Sequence, residues 1–546
     1  MELTAIRLRI LLLIVLAAIS PASFAQDEAT QLDQLVNSYV DAGQFMGSVL
    51  VAREGRTLLS KGYGVANLEW DIPNEPSTKF ALGSLTKQFT AACVLLLEAQ
   101  GKLSVGDPIS KYLEVPPSWR DITIFHLLTH TSGLRNITAL PRAAELDRSP
   151  NTVDQLIGRF KDLSLEFDPG ERMQYSNSGY IVLGALIEKV SGMPYAKFVQ
   201  QNIFVPLGMQ DSGYDVNTDV LKHRASSYSQ DRQGRHNARY VDMSTPYSAG
   251  GLYSTTLDLQ KWQTGLFSGK LLPANELQKM TTPNKGDYSM GFVVSTSRHG
   301  RIIQHTGGAA GFSNAMAYFP DDETIVIVLG NLRTPAPETI ASKLGALAHG
   351  DAVDAYIDPA KREAITVPAD VLRRYVGVYA MKPDQTVKIT VEREQLYTQL
   401  PGQARLPLSA ATPTKFFLRV ADVEMEFDTD HRGKKSTMRW RDGGKEGTGP
   451  RISATIPQRR SIVRAPEQLQ RFAGTYTFEV GPTLTITSEA GALVVNPGGE
   501  RWLPESDHVF FSDRIDSEME FASDANGRIA SVTMHQGIAR STAMRQ

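Results

Sequence analysis

Residues 83–101 read GSLTKQFTAACVLLLEAQG: a glycine, a serine and a lysine three apart, an apolar stripe and a closing glycine. Leu85, Phe89, Ala92, Cys93 and Leu96 recur at intervals of three and four. That periodicity predicts a helix from Ser84 to Gln100, stopped by Gly101. Positions i and i+3 share a helix face, so the Lys87 amine is placed to reach the Ser84 hydroxyl. The free N–H groups and positive dipole end of the helix favour negative charge on that oxygen. An N-capping serine beside a solvated lysine would spell the same letters, so the pair needs company before it means chemistry. Cys93 lies on the apolar stripe and reads as core filler.

The company comes from two further stretches. Tyr175-Ser-Asn177 follows the turn Asp168-Pro169-Gly170 and precedes a helix expected over Gly179 to Val190, which Gly192 ends. A tyrosine and an asparagine two apart put a phenol and an amide on one side of an extended segment. The phenol would pass a proton where a neighbouring cation lowers its pKa, and the amide would hold a substrate carbonyl and the lysine. His305-Thr306-Gly307-Gly308 ends a strand, where successive small residues let a substrate lie along the strand edge. A plain glycine bulge is the alternative there.

In this order and at these separations, Ser84-Leu-Thr-Lys87, Tyr175-Ser-Asn177 and His305-Thr-Gly307 resemble the signatures of the serine beta-lactamase and penicillin-binding protein family. The middle Tyr-x-Asn is similar to that of the class C beta-lactamase-like branch, which also holds D-alanyl-D-alanine carboxypeptidases, D-aminopeptidases and esterases. His126-Leu-Leu-Thr-His-Thr-Ser-Gly-Leu134 and Gly250-Gly-Leu-Tyr-Ser-Thr255 resemble further stretches of that branch, so the likeness covers about residues 30 to 350. It implies an α/β (α+β) beta-lactamase/transpeptidase-like catalytic domain, an antiparallel sheet flanked by helices plus a helical subdomain, with the site in the crevice between them.

The resemblance also implies roles. Ser84 would be the nucleophile that forms an acyl-enzyme, Lys87 would help to deprotonate it, and Tyr175 would act as general base or proton relay. Asn177 would orient the substrate amide, with His305, Thr306, Gly307 and Gly308 along the substrate. The N–H groups of Ser84 and Gly308 would form an oxyanion hole, worth ~3–4 kcal/mol per donor. His305 stands where many relatives have lysine. An ordinary histidine titrates near ~6.5, so discrimination in favour of carboxylate substrates is expected to fall between roughly pH 6 and pH 8.

Elsewhere, strands are expected over 47–52 and 56–60, then over 291–295, 301–305, 315–319 and 324–329. The short spacer Arg298-His299-Gly300 is a hairpin signal and argues for an antiparallel sheet. A helix over Glu338 to Ala348 precedes a polar stretch from Asp351 to Asp370, which places a domain boundary there and ends a catalytic domain of residues 26–355, with 356–370 as linker. Beyond it the sequence repeats. Leu372-Arg-Arg-Tyr-Val-Gly-Val-Tyr379 matches Leu469-Gln-Arg-Phe-Ala-Gly-Thr-Tyr476 at an offset of 97, and Glu424-Met-Glu-Phe427 matches Glu518-Met-Glu-Phe521 at 94. Two small all-β modules, 371–458 and 459–546, follow from short alternating strands and glycine turns. They resemble the lipocalin-like barrels appended to some family members.

Composition sets the outer limits. A 546-residue chain with 41% hydrophobic and 21% charged residues is globular and multidomain. With 57 Lys+Arg against 59 Asp+Glu there is no basic field to drive nucleic-acid binding. One cysteine excludes an intramolecular disulfide or a Cys-based metal cage. His126 and His130 are four apart, but Leu127 holds the glutamate's place in H-E-x-x-H, so no metal is expected. Gly307-Gly-Ala-Ala-Gly311 lacks the context of a nucleotide loop, so no cofactor is expected either. Arg7 and Arg9, the apolar run Ile10 to Ile19 and Ser23-Phe24-Ala25 read as a signal peptide over residues 1–25, with no stable membrane span and a secreted or periplasmic product. The expectation is an exported serine hydrolase working through an acyl-enzyme on small amide, peptide or ester substrates of the D-amino-acid peptidase or carboxypeptidase type. Its partner is then a small molecule or peptide, for which the cell wall is one source. A short-chain esterase, a weak class C-like beta-lactamase and a non-catalytic penicillin-binding-type recognition protein are the rivals.

Overall fold

The computed structural model describes residues 21–546 apart from 141–147, 232, 383–384, 431–435, 443–444, 457–458, 479–482, 513 and 538. The leader expected over residues 1–25 lies outside the described residues as far as residue 20. One compact unit runs to Tyr356 and a second covers Ile357–Gln546. Among the described residues no helix is long and apolar enough to cross a membrane.

The first unit is built on a six-stranded antiparallel sheet in the order Val293–Ser297, Gly300–Ala309, Phe312–Phe319, Thr324–Gly330, Gly47–Arg53, Arg56–Tyr63. The expected hairpin is present, with Ser297 opposite Gly300. An early strand joins a late one at the sheet centre, Val49 facing Val328 and Val51 facing Val326. Both are buried on the two faces, which is why they read as near-continuous apolar runs rather than as alternation. The helices Pro21–Asp41 and Ala336–Ala348 cover one face, where Leu32, Val36, Tyr39, Ile340 and Leu344 pack against Val49, Val51, Val326 and Val328.

On the helical side the expected helix forms in two pieces, a 3-10 turn Gly83–Leu85 and an α-helix Thr86–Ala99. Nearly all of it is buried, Cys93 included, because other helices surround it. Phe89 meets Trp262 at 4.2 Å and Phe204 at 5.7 Å. A second buried helix, Asn177–Ser191, ends at Gly192 in the left-handed conformation, φ +71°.

The second unit contains two closed eight-stranded antiparallel barrels, from Gly377–Lys382 to Lys445–Ser453 and from Gly474–Phe478 to Ala539–Arg545. The repeated letters have repeated jobs. Tyr379 donates its hydroxyl proton to Tyr375 O at 2.9 Å, and Tyr476 does the same to Phe472 O at 2.8 Å. The glycine before each tyrosine makes room for an arginine. A Cβ on Gly377 would lie 2.5 Å from Arg451 Cδ, and one on Gly474 would lie 2.9 Å from Arg545 Nε. Those arginines donate to Arg374 O at 2.8 Å and to Arg471 O at 3.0 Å. In Glu-Met-Glu-Phe the methionine and phenylalanine point inward and are buried, as strand alternation requires. The first glutamate of each faces an arginine ahead of its barrel, Arg362 to Glu424 at 2.6 Å and Arg459 to Glu518 at 2.7 Å. The stretch read as a linker is thus strapped to the first barrel, where Ile365 N also donates to Ala410 O at 2.9 Å.

The first unit has its own core and holds every motif up to Gly308. A chain ending at residue 360, which keeps the Tyr356 ring packed 4.5 Å from that of Tyr39, is expected to fold and to keep covalent labelling at Ser84. Circular dichroism and intact mass test this, and a folded but unlabelled truncation would refute it.

Candidate active site

Ser84 sits in the 3-10 turn, and Gly83 before it has φ +55°. A Cβ there would lie 2.6 Å from Gly308 O, so glycine lets the turn press against the strand edge. Gly307 is needed for the same contact, since its Cβ would lie 2.1 Å from Leu82 O. The small residues expected to make room for a substrate therefore make room, at Gly307, for the Ser84 turn itself. Asn314 on the neighbouring strand completes the attachment. Its Nδ2 donates to Ala81 O and Leu82 O at 3.0 and 3.1 Å, and its Oδ1 accepts from Gly330 N at 3.2 Å.

Lys87 is fully buried, and its Nζ lies 3.1 Å from Ser84 Oγ, 2.8 Å from Asn177 Oδ1 and 2.8 Å from Ala249 O. All three partners are neutral, and burial holds the amine pKa well below the usual lysine range. The rings of Tyr175 and Tyr180 stand 4.9 and 5.4 Å from Nζ. Ala249 precedes the stretch Gly250 to Thr255, whose Leu252 accepts from Leu82 N at 2.8 Å and donates to Thr86 Oγ1 at 3.2 Å. That stretch is a backing for the Ser84 helix.

The Tyr175 hydroxyl is buried and closes no hydrogen bond among the described residues. Burial pushes its pKa up, with the facing Ser84 hydroxyl acting in the opposite direction. The sequence reading required a cation to lower this pKa. The neighbouring lysine is itself driven toward its neutral form, so the phenol stays protonated.

His305 differs most from expectation. It is 6% exposed, its Nδ1 lies 2.6 Å from Thr306 O and its Nε2 lies 3.1 Å from the Tyr288 hydroxyl. With Nδ1–H donating to the carbonyl and Nε2 accepting from the phenol, a neutral ring is satisfied on both sides. Burial lowers its pKa to about 4. The loss of charge expected between pH 6 and pH 8 is therefore absent, because the ring is already neutral there. Thr306 and Gly308 are exposed at the strand edge, and Gly308 lines the same cavity as Ser84 and Asn177. That cavity measures about 1010 Å³ and is bordered also by Arg224, Tyr240 and Arg333.

The two histidines of the apparent zinc spacing go separate ways. His126 Nδ1 accepts from Thr123 N at 3.3 Å in a capping box, while His130 Nδ1 accepts from Ser176 N at 3.1 Å. Tyr288, Asn314 and the Ala249 carbonyl were not legible as site components. A backbone acceptor carries no side-chain signal, and the other two are single letters without a pattern.

An antiparallel sheet pressed against a helical layer, with a buried lysine behind a serine at a helix start, defines the beta-lactamase fold. Residues 32–350 match the beta-lactamase family, and residues 361–452 and 458–545 each match a domain of unknown function, DUF3471. The chain belongs to the beta-lactamase family. It is 31% identical over 449 residues to a penicillin-binding protein of Bacillus subtilis (strain 168), covering 77% of this chain and 98% of that one. Among solved structures it is similar to the penicillin binding protein from Bacillus halodurans, at 28% identity and TM-score 0.52, covering 57% of this chain and 98% of the other. It is also similar to the octameric penicillin-binding protein homologue from Pyrococcus abyssi, at 25% identity and TM-score 0.56, covering 78% and 98%.

A histidine whose folded pKa lies below its unfolded value adds stability above the unfolded pKa and loses it as pH falls through the folded one. Wild type should therefore lose more thermal stability than His305→Gln between pH ~6.5 and pH 4, with the two parallel above pH ~6.5. Parallel melting-temperature profiles across the whole range would refute the neutral, buried assignment.

Proposed function

We propose that this chain is an exported serine hydrolase that works through an acyl-enzyme on small amide, peptide or ester substrates of the D-amino-acid peptidase type. The observation that carries the reading is Lys87 Nζ, dehydrated, 3.1 Å from Ser84 Oγ and bonded to neutral groups alone. A neutral amine in that position can take the hydroxyl proton as Oγ attacks a carbonyl carbon. The backbone N–H groups of Ser84 and Gly308 would receive the developing oxyanion. Tyr175, kept protonated by burial, would hand a proton to the leaving amine or alkoxide and regain one from Lys87. Water then attacks the ester and regenerates Ser84. Asn177 holds Lys87 through Oδ1 and borders the cavity, so it would orient the substrate amide.

Export rests on the basic and apolar pattern of Arg7 to Ile19 followed by Ser23-Phe24-Ala25. The neutral His305 leaves no charge at that position to demand a substrate carboxylate, which favours amide and ester leaving groups. A binding protein that kept the fold without turnover would have no use for a dehydrated lysine beside the serine.

Two outcomes test the reading. Wild type incubated with a fluorophosphonate or a fluorescent penicillin should gain one adduct mass, and Ser84→Ala should gain none while remaining folded. An adduct of the same mass on Ser84→Ala would show that another residue is the nucleophile. The acylation rate should rise with pH along a limb lying well below the ordinary lysine pKa of ~10.4, because protonation of Lys87 removes the base. A limb at the ordinary value would mean that Lys87 stays charged.

A further inference from the structure

Residues 130–138 run beside residues 174–178 and grip them step by step. Gln174 N donates to His130 O at 2.9 Å, and Ser176 N donates to His130 Nδ1 at 3.1 Å. Asn136 Oδ1 accepts from Asn177 N at 3.1 Å and from Asn177 Nδ2 at 3.3 Å. Ser178 Oγ donates to Arg135 O at 2.7 Å and accepts from Ile137 N at 2.9 Å.

Within this clasp two side chains do what their neighbours cannot. His130 is 1% exposed, and its ring packs 4.2 Å from that of Tyr175, 4.6 Å from Tyr288 and 5.1 Å from Tyr180. Because Nδ1 accepts, the neutral ring carries its proton on Nε2, which has no hydrogen-bond partner among the described residues. An unpartnered buried N–H is costly, and an apolar ring would fill the same space without it. What an apolar ring lacks is the acceptor for Ser176 N–H, the group next to Tyr175. His130 also has φ +56°, a left-handed conformation that bulky apolar residues avoid. Asn136 acts on the next residue along. By taking both N–H groups of Asn177 on one oxygen it turns the amide so that Oδ1 faces Lys87 Nζ at 2.8 Å. The flipped amide would set an NH2 group against the amine.

We infer that His130 and Asn136 are positioning residues of this site, His130 fixing the Tyr175 phenol and Asn136 fixing the amide of Asn177 against Lys87 and Ser84. The inference rests on the reading of Ser84 as the acylated nucleophile. It identifies the work of a loop in which His130 otherwise looks like one half of a failed metal pair.

The test is the rate at which a fluorophosphonate probe acylates the full chain, separated into kinact and KI. Asn136→Ala should lower kinact about ten-fold, the scale on which small misplacements act, while KI stays within about two-fold. His130→Ala should lower kinact by about as much or more, and His130→Asn should recover most of that loss. Asparagine tolerates the left-handed conformation and can present an oxygen where Nδ1 accepts. Circular dichroism identifies folded variants, and Asn136→Ala alone decides the matter should the His130 variants fail to fold. A kinact within about two-fold of wild type in folded Asn136→Ala overturns the inference, as does a change confined to KI. Ser84→Ala separates the two levels. If it is labelled like wild type, the reading of the site has failed. If it is unlabelled and Asn136→Ala reacts at the wild-type rate, only the positioning role has.

Discussion

The first unit is organised around one amine taken out of water. Lys87 is fully buried, and its contacts are a hydroxyl, an amide oxygen and a backbone carbonyl, with no carboxylate among them. A buried ammonium without a counter-ion is so unfavourable that the group shifts toward its neutral form instead. Two nearby groups share that environment. Tyr175 is pushed toward the phenol, and His305 toward the uncharged imidazole. The result is a site in which Lys87, Tyr175 and His305 are all held toward their neutral forms. The two tyrosine rings beside Lys87 complete the exclusion of water.

Around the site lie close contacts that a Cβ at three glycines would forbid. Gly83, Gly307 and Gly308 let the serine turn, the strand edge and the Arg333 guanidinium meet at distances no Cβ would permit. Asn314 then ties the same turn to the sheet through both ends of its amide. The contacts of Gly83 with Gly308, of Gly307 with Leu82, and of Asn314 with Ala81 and Leu82 join the serine turn to the sheet, so Ser84 is set at the seam of two layers rather than on a free loop. Such a placement holds Ser84 and Lys87 in a fixed geometry.

The second unit follows a different logic, that of a repeat. Each module strings the same devices together: a glycine that admits an arginine, a tyrosine that reaches back four residues, and a glutamate that pins a preceding arginine. Aromatic side chains such as Phe416 and Phe427 in one barrel, and Phe510 and Phe521 in the other, fill the interiors. Eight strands enclose a space that side chains can occupy completely.

Much of this was open to reading in one dimension. The Ser84–Lys87 spacing, the helix it begins and the strands around Arg298 to Gly300 are local consequences of periodicity and turn chemistry, and so is the order of the paired modules. Such features depend on neighbours within a few residues, or on a copy of the same string elsewhere. Partners distant in the chain were decided by the tertiary structure alone. His305 looked like a titrating residue because its letters say nothing of Tyr288 above it or of the depth at which it lies. His130, already set aside as a metal ligand because Leu127 replaces the glutamate, had no assigned work until the fold set it against Ser176, 46 residues away. The Ala249 carbonyl left no trace in the letters at all, since any residue supplies the same oxygen. Whether a lysine beside a serine is an ordinary surface cation or a base is a matter of what surrounds it, and burial is a property of the folded chain.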